Sequence, residues 1–311
     1  MLRGSLLAAA LFALVGVGVQ QSSGASGSSP RNGRIAFEHV GESGGAQIYA
    51  MTSRGTKRRL LTPGKRPSSR SPAYAPRGRR IVYVHTYRQS DLWLMQSDGG
   101  HQRRLTRTTG VDETDPAWSP DGKEIAFAVT KPASLEGMWV IGVDGSHRRQ
   151  LTSDADADPS WSPDGGKIAF DRRDAATQTF SILVVPSSGG SATDLSTDPG
   201  ISDLQPAWSP DGSRILFTSD RLDTFQLDLW VMNADGSGGR RVTSTPGRDE
   251  HDPVWSPDGA RIAYVGESSS HGASSYQLYV SRANGTGRHV ITHACGECAI
   301  INDDPSWQPL R

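Results

Sequence analysis

The chain has 311 residues, 35% hydrophobic and 21% charged, and its 33 Lys+Arg are balanced by 33 Asp+Glu. A formal net charge of zero argues against a nucleic-acid binder, which carries a basic surplus to neutralise phosphate. With 35 glycines and 19 prolines, many turns are expected and long helices are not.

Taken from the N-terminus, Met1 to Ser5 is a short positive segment, Leu6 to Val19 an apolar run, and Gln20 to Ser29 a polar stretch rich in Ser and Gly. This is the layout of a secretory signal peptide. The apolar run is shorter than the roughly 20 residues of a membrane-spanning helix. Residues 1–29 are therefore expected to be a leader with a short linker, cleaved near Ala25, and residues 30–311 the folded domain. Retention of the leader as an anchor is the alternative. Membrane contact is expected only through that leader or through envelope partners. No Cys follows the run, so a lipoprotein anchor is not supported. The mature protein is expected in the periplasm, the cell envelope or the medium.

One phrase then recurs. It reads Asp115-Pro116-Ala117-Trp118-Ser119-Pro120-Asp121-Gly122 before Ile125-Ala126-Phe127, and returns around Trp161, Trp208 and Trp255. A weaker copy has Tyr74 in place of Trp and Arg77 in place of Asp. With Trp307, the aromatic positions are spaced by 44, 43, 47, 47 and 52 residues. That period marks propeller blades of four strands. Strand A carries Pro-x-Trp, and Ser-Pro-Asp-Gly suits a tight turn. Strand B is Ile-Ala-Phe and strand C a second apolar run, such as Asp91 to Met95. Pairs such as Asp98-Gly99 favour hairpin turns, and strand D is expected to end in Leu-Thr, as at Leu105-Thr106. The chain ends are complementary. Asn32 to Phe37 is a strand B lacking a strand A, and Asp304 to Pro309 is a strand A with nothing after it. The predicted fold is an all-β, six-bladed propeller closed by pairing of the C-terminal strand into the first blade.

This phrase resembles the propeller repeats of the TolB family over roughly residues 32–309. Similar repeats occur in the propellers of prolyl-oligopeptidase-class peptidases and of some polysaccharide lyases. TolB itself is known for an α/β domain ahead of the propeller, whereas here the first blade begins within about ten residues of the leader. The peptidases add a hydrolase domain of a few hundred residues, for which this chain has no room. The resemblance implies a channel that accepts partner peptides.

Several motifs resolve into turns or loops. Gly41 to Gly45 matches a GxSxG nucleophile pattern but joins two strands, where a nucleophile elbow needs a strand and a helix. Asp154, Asp156 and Asp158 begin like a calcium-binding loop, but Pro159 and Gly165 stand where that loop needs Gly and Glu. His101, His147 and His289 are expected in the turns between strands C and D or just after them. His85, His251, His271 and His293 are expected in loops on the opposite face. Cys295 and Cys298 are candidates for a local disulfide in an exported protein.

The segments entering strand A are acidic. They supply Asp112, Glu113 and Asp115; Asp154, Asp156 and Asp158; Asp203; Asp249, Glu250 and Asp252; and Asp303 and Asp304. Sixfold closure gathers these segments around one opening. Residues two apart in an extended run point the same way, which would put Asp154, Asp156 and Asp158 on one face. The mouth is expected to bind calcium, which favours oxygen ligands, or a positively charged protein or peptide segment. Capping of turns, or pairing with Arg172, Arg173, Arg221 or Arg248, is the structural alternative. The leading functional expectation is a non-enzymatic binding module. The alternative is a propeller enzyme, such as a metal-dependent polysaccharide lyase or a lactonase-like hydrolase.

Overall fold

The computed structural model describes residues 31–41, 44–64, 68–196, 198–222, 226–270, 273–292 and 301–310. The leader, Cys295, Cys298, His271 and His293 lie outside them. The described residues form six four-stranded sheets arranged as blades.

Blade 1 contains β1 (Arg31–Val40), β2 (Ala46–Thr52) and β3 (Arg59–Leu60). Blade 2 runs through β4 (Ser68–Tyr74), β5 (Arg80–Thr86), β6 (Ser90–Gln96) and β7 (Arg103–Arg104). Blade 3 has β8 (Asp112–Trp118), β9 (Glu124–Lys131), β10 (Gly137–Gly142) and β11 (Arg149–Gln150), with one 3-10 turn at Ala133–Leu135. Blade 4 has β12 (Asp156–Trp161), β13 (Lys167–Arg173), β14 (Phe180–Pro186) and β15 (Thr193–Asp194). Blade 5 follows with β16 (Asp203–Trp208), β17 (Arg214–Ser219), β18 (Asp228–Asn233) and β19 (Arg240–Arg241). Blade 6 has β20 (Asp249–Trp255), β21 (Arg261–Ser270), β22 (Ala273–Arg282) and β23 (His289–Val290). The last strand, β24 (Ile301–Leu310), returns to blade 1 as its strand A, giving the order β24-β1-β2-β3. Among the described residues no helix is long and apolar enough to cross a membrane.

Strand B is the central element of each blade, and both its faces are covered by neighbouring blades. It therefore reads as a continuous apolar run rather than an alternating one. Ile125, Phe127 and Val129 join Val82, Val84 and Trp118 in one core cluster, so a blade's apolar face is completed by the blade before it. The strand-A tryptophans add polar pins. Trp118 Nε1 donates to the Ala73 carbonyl at 3.0 Å, Trp161 to Ala117 at 3.2 Å and Trp255 to Ala207 at 3.1 Å. Each pin crosses from one blade to the preceding one and satisfies the indole N–H of a largely buried ring.

The Ser-Pro-Asp-Gly turns form as the sequence predicts. Ser119 Oγ donates to Asp121 Oδ1 at 2.7 Å, and Gly122 takes φ +72°, where a residue with a Cβ would be strained. On the opposite side of the repeat, strand D is only two residues long, and Leu-Thr follows it instead of ending it. The Thr hydroxyl has another task. It accepts an N–H from within strand C, as Leu92 to Thr106 Oγ1 at 2.9 Å and Leu278 to Thr292 Oγ1 at 2.8 Å. A side chain thus takes over the ladder where the backbone leaves the sheet.

Closure pairs Ile35 with Trp307, Ala36 with Ser306 and Glu38 with Asp303. Ile35, Phe37 and Trp307 then pack with Val265 and Leu278 of blade 6. The two ends of the chain meet in a single sheet, and the exposed edges they would otherwise present are removed.

Candidate functional site

The site is built by one backbone device used six times. The residue before the strand-A proline has positive φ in every blade: Ser71 44°, Asp115 49°, Asp158 51°, Gln205 55°, Asp252 50° and Asp304 48°. Few residues with a Cβ adopt this region, and Asp is among those that tolerate it best. The pairing with strand B slips at the same place. Thr114 faces Ala128 and Ala117 faces Ala126, so Asp115 and Pro116 together oppose one residue. This is a β-bulge, which bends the strand and re-aims a side chain. Proline fits because its missing N–H falls in the interrupted part of the ladder.

The six bulge residues, with the Pro and the small residue after each, line a central cavity of about 210 Å³. Four of the six are aspartates. Burial raises the pKa of Asp115, and it raises those of Asp158, Asp252 and Asp304 well above the usual carboxylate range, with neighbouring carboxylates adding to the rise in the last three. Ser71 and Gln205 fill the remaining positions as hydrogen-bonding spacers. Ser71 Oγ donates to Asp304 Oδ2 at 3.0 Å, and Gln205 Nε2 donates to Asp252 Oδ1. Gln205 Oε1 accepts from Thr218 Oγ1 at 2.9 Å.

Strand B adds two carboxylates beside this ring. Asp171 accepts the Gln205 N–H at 2.8 Å, and burial lifts its pKa to about 6. Glu38 is raised to about 7, chiefly by burial, with Arg70 pulling down and Asp303 pushing up. Arg70 Nε lies 3.9 Å from Glu38. Sequence reading missed Ser71, Gln205, Glu38 and Asp171. Superposing the repeats would have found them. Ser71 and Gln205 occupy the slot before Pro, while Glu38 and Asp171 follow the strand-B aromatic.

The twelve acids singled out from the sequence do not share one surface. Asp115, Asp158, Asp252 and Asp304 line the channel, and Asp303 lies beside them. Glu113, Asp156, Asp203 and Glu250, two positions earlier, each pair with an arginine of their own blade, and Glu113, Asp203 and Glu250 also accept a hydroxyl from the segment leaving the preceding blade, which ties the two blades together. Thr106 Oγ1 donates to Glu113, which pairs with Arg148 at 3.0 Å. Ser196 Oγ donates to Asp203 at 2.8 Å, and Arg221 binds the same carboxylate at 2.5 Å. Asp156 pairs with Arg172 at 2.7 Å, and Glu250 with Arg288 at 3.2 Å. Asp112 and Asp249 accept the Ser90 and Leu227 N–H groups at 2.8 and 2.9 Å, bracing the preceding blade. Asp154 is half-exposed and pairs with Arg172 at 2.9 Å.

The expected common face of Asp154, Asp156 and Asp158 is therefore not formed, because the bulge breaks the alternation between 156 and 158. Arg172 and Arg221 pair with acids as the structural alternative supposed. Arg173 reaches Gln178, and Arg248 reaches the Tyr279 hydroxyl. His85 and His251 lie in strands β5 and β20, not in loops. Strands A and B extend far enough toward the mouth to include them. His85 Nδ1 is 3.0 Å from Ser69 Oγ, and His251 Nδ1 is 2.8 Å from Asp252 Oδ2. Gly41, Gly44 and Gly45 lie between β1 and β2, both strands, so a nucleophile elbow has no helix to sit on.

Closed blades carrying this repeated Pro-x-Trp bulge define a β-propeller of the TolB type. The model of the TolB beta propeller domain matches residues 34–198 and 175–310, and the chain belongs to that family. Comparison with curated protein sequences found no match. Among solved structures, TolB from Acinetobacter baumannii superposes with a TM-score of 0.74 at 19% identity, covering 89% of this chain and 66% of its own. A protein described as a TolB of Agrobacterium tumefaciens gives 0.69 at 19% identity, covering 89% of this chain and 99% of its own. An oligogalacturonate lyase from Vibrio parahaemolyticus gives 0.53 at 13% identity, covering 84% and 73%. At these identities the likeness establishes the fold, and a propeller of this shape serves unrelated functions.

Proposed function

We propose that the chain is an exported, non-enzymatic binding module whose channel takes up positive charge, either a basic segment of a partner protein or a hard cation such as calcium. The observation that carries this reading is the set of six bulges aiming Asp115, Asp158, Asp252 and Asp304 into one cavity. Crowded, desolvated carboxylates repel one another, and the repulsion is relieved when a cation enters. Calcium suits an all-oxygen set, and a Lys or Arg side chain supplies the same charge with hydrogen-bond donors. The cavity is sized for a hydrated ion or one basic side chain, not for a folded partner. Residues 1–29 act as the export signal in this reading, leaving residues 30–311 as the binding domain. N-terminal sequencing of the exported protein tests that part, and a product beginning at Met1 would refute it.

Binding is tested by calorimetry with a lysine-rich peptide and with calcium chloride, comparing the parent with an Asp115→Asn/Asp158→Asn variant. At least one ligand should bind the parent and bind the variant at least tenfold more weakly. The reading fails if neither binds the parent, or if the variant binds both equally well.

A further inference from the structure

At one point of the channel a ring aspartate meets a histidine and a carboxylate from the closing strand. His251 and Asp252 are consecutive in β20, the strand A of blade 6. Asp303 lies in β24, the strand that closes the ring. Sequence separates the two strands, and closure brings their side chains together at the seam. His251 Nδ1 is 2.8 Å from Asp252 Oδ2 and 3.9 Å from Asp303 Oδ1, and one ligand atom from each residue lies within 4.8 Å of the others. We infer that His251, Asp252 and Asp303 form a transition-metal site, with zinc as the fitting ion, that joins blade 6 to the closing strand.

Three observations support it. First, the spacing suits a shared ion. Ligands bound tetrahedrally to zinc at about 2.0–2.2 Å stand roughly 3.3–3.5 Å apart, and the two nitrogen–oxygen separations of 2.8 and 3.9 Å bracket that value. Second, Asp303 Oδ1, an atom of the cluster, is buried and has no hydrogen-bond partner among the described residues. A buried oxygen left without a donor is costly, and a metal ion would satisfy it. Third, among the described residues no Lys or Arg nitrogen lies within 4.0 Å of Asp252 or Asp303. The acids of the inter-blade ties each have an arginine, whereas the only basic side chain at these two is the His251 imidazole, with the neutral Gln205 amide donating to Asp252 Oδ1.

The donor set selects the ion. One imidazole nitrogen with two carboxylates suits zinc better than calcium, which takes six to eight oxygens. Three protein ligands leave a position open toward the channel for water or for a group on a bound partner. Ligands drawn from both β20 and β24 also make the ion a staple across the closure. Metal binding to the folded chain alone then raises its melting temperature by mass action.

This site shares Asp252 with the acidic ring of the preceding proposal, and its test therefore uses variants at His251 and Asp303, which lie outside that ring. Untagged protein carrying Cys295→Ser and Cys298→Ser, so that thiols contribute nothing, is stripped with a chelator and titrated with zinc chloride. One zinc should bind per chain and raise the melting temperature. X-ray absorption should show nitrogen and oxygen neighbours. A tenfold excess of calcium should not displace the ion. His251→Ala and Asp303→Asn should each weaken binding at least tenfold and remove the thermal shift. Asp115→Asn, in the ring but outside this cluster, should change neither. Circular dichroism of the metal-free variants confirms that they are folded. The inference is overturned if the stripped parent binds no zinc, if His251→Ala binds as tightly as the parent, or if calcium displaces zinc at comparable concentration.

Discussion

Two sets of carboxylates stand two residues apart on the same strands and meet opposite fates. Glu113 and Glu250 are completely buried and are held by a hydroxyl and an arginine apiece, as are Asp156 and Asp203. Asp115, Asp158 and Asp252 follow in the left-handed bulge and crowd one another in the channel without such partners. In an unbroken strand, residues at i and i+2 would share a face. The bulge rotates the second acid away from the first. The earlier set ties each blade to the one before it, and the later set crowds carboxyl groups into the channel without an arginine or lysine partner. The lesson is that acidity near strand A carries no functional meaning until the backbone conformation of each acid is known.

The comparison breaks most completely if the ring itself is opened. Deleting residues 303–311 removes the strand that pairs with β1 and contributes Trp307 to the seam. The variant should lose cooperative unfolding and aggregate, as read by thermal melting and size-exclusion chromatography. A deletion variant that melts like the parent would contradict the closure.

A smaller but still large effect is expected from the tie set. Glu113→Ala leaves Arg148, largely buried with its side chain 21% exposed, without its carboxylate. Breaking a buried pair from one side costs about 3–5 kcal/mol. Denaturant unfolding should show a loss of that order. Asp115→Asn, only two residues along, should leave stability unchanged or raise it, because a neutral side chain removes repulsion from the ring. Equal losses from the two changes would erase the distinction between the sets.

The pH dependence sharpens the same contrast. Glu38 rises from 4.5 to about 7 and Asp171 from 3.8 to about 6 on folding. Between the unfolded and folded values the native chain holds protons that the unfolded chain has released, so stability falls as pH rises through this window. Melting temperature should therefore be higher at pH 5 than at pH 8. The turn carboxylates work the other way. Hydrogen bonds from Ser209 and Ser213 hold Asp211 at about 2, so stability should fall again in strong acid as such turns are protonated. Double replacement of Glu38 and Asp171 by Gln and Asn should flatten the decline between pH 5 and 8.

The smallest expected effect concerns the spacers. Gln205→Asp would put a fifth carboxylate into the ring, lower the melting temperature by a few degrees, and strengthen binding of a basic peptide by a few-fold. Titration of that variant checks both directions.

Much of this architecture was legible in the sequence. The spacing of Tyr74, Trp118, Trp161, Trp208, Trp255 and Trp307 announces six blades, and the complementary segments around Ile35 and Trp307 announce how they close. The Ser-Pro-Asp-Gly turns follow from local chemistry alone. The division of the acids was not legible. It depends on a positive φ before proline and on arginines such as Arg148 and Arg288, which come from strand D approaches far along the chain. Asp171 and Glu38 were hidden because each is the lone acid after an otherwise apolar strand-B phrase. The pairing of His251 with Asp303 requires the closed ring, since neither residue is near the other in sequence.

Proton release on binding is the most direct test of the central claim that burial and crowding raise the pKa of the bulge acids and that a bound cation relieves that crowding. A lysine-rich peptide is titrated into the parent at pH 6.5 in two buffers of different ionisation enthalpy. Binding should be accompanied by net release of protons, and both binding and release should be lost together in Asp115→Asn/Asp158→Asn. Binding without proton release, or equal binding and release in the variant, would contradict the account.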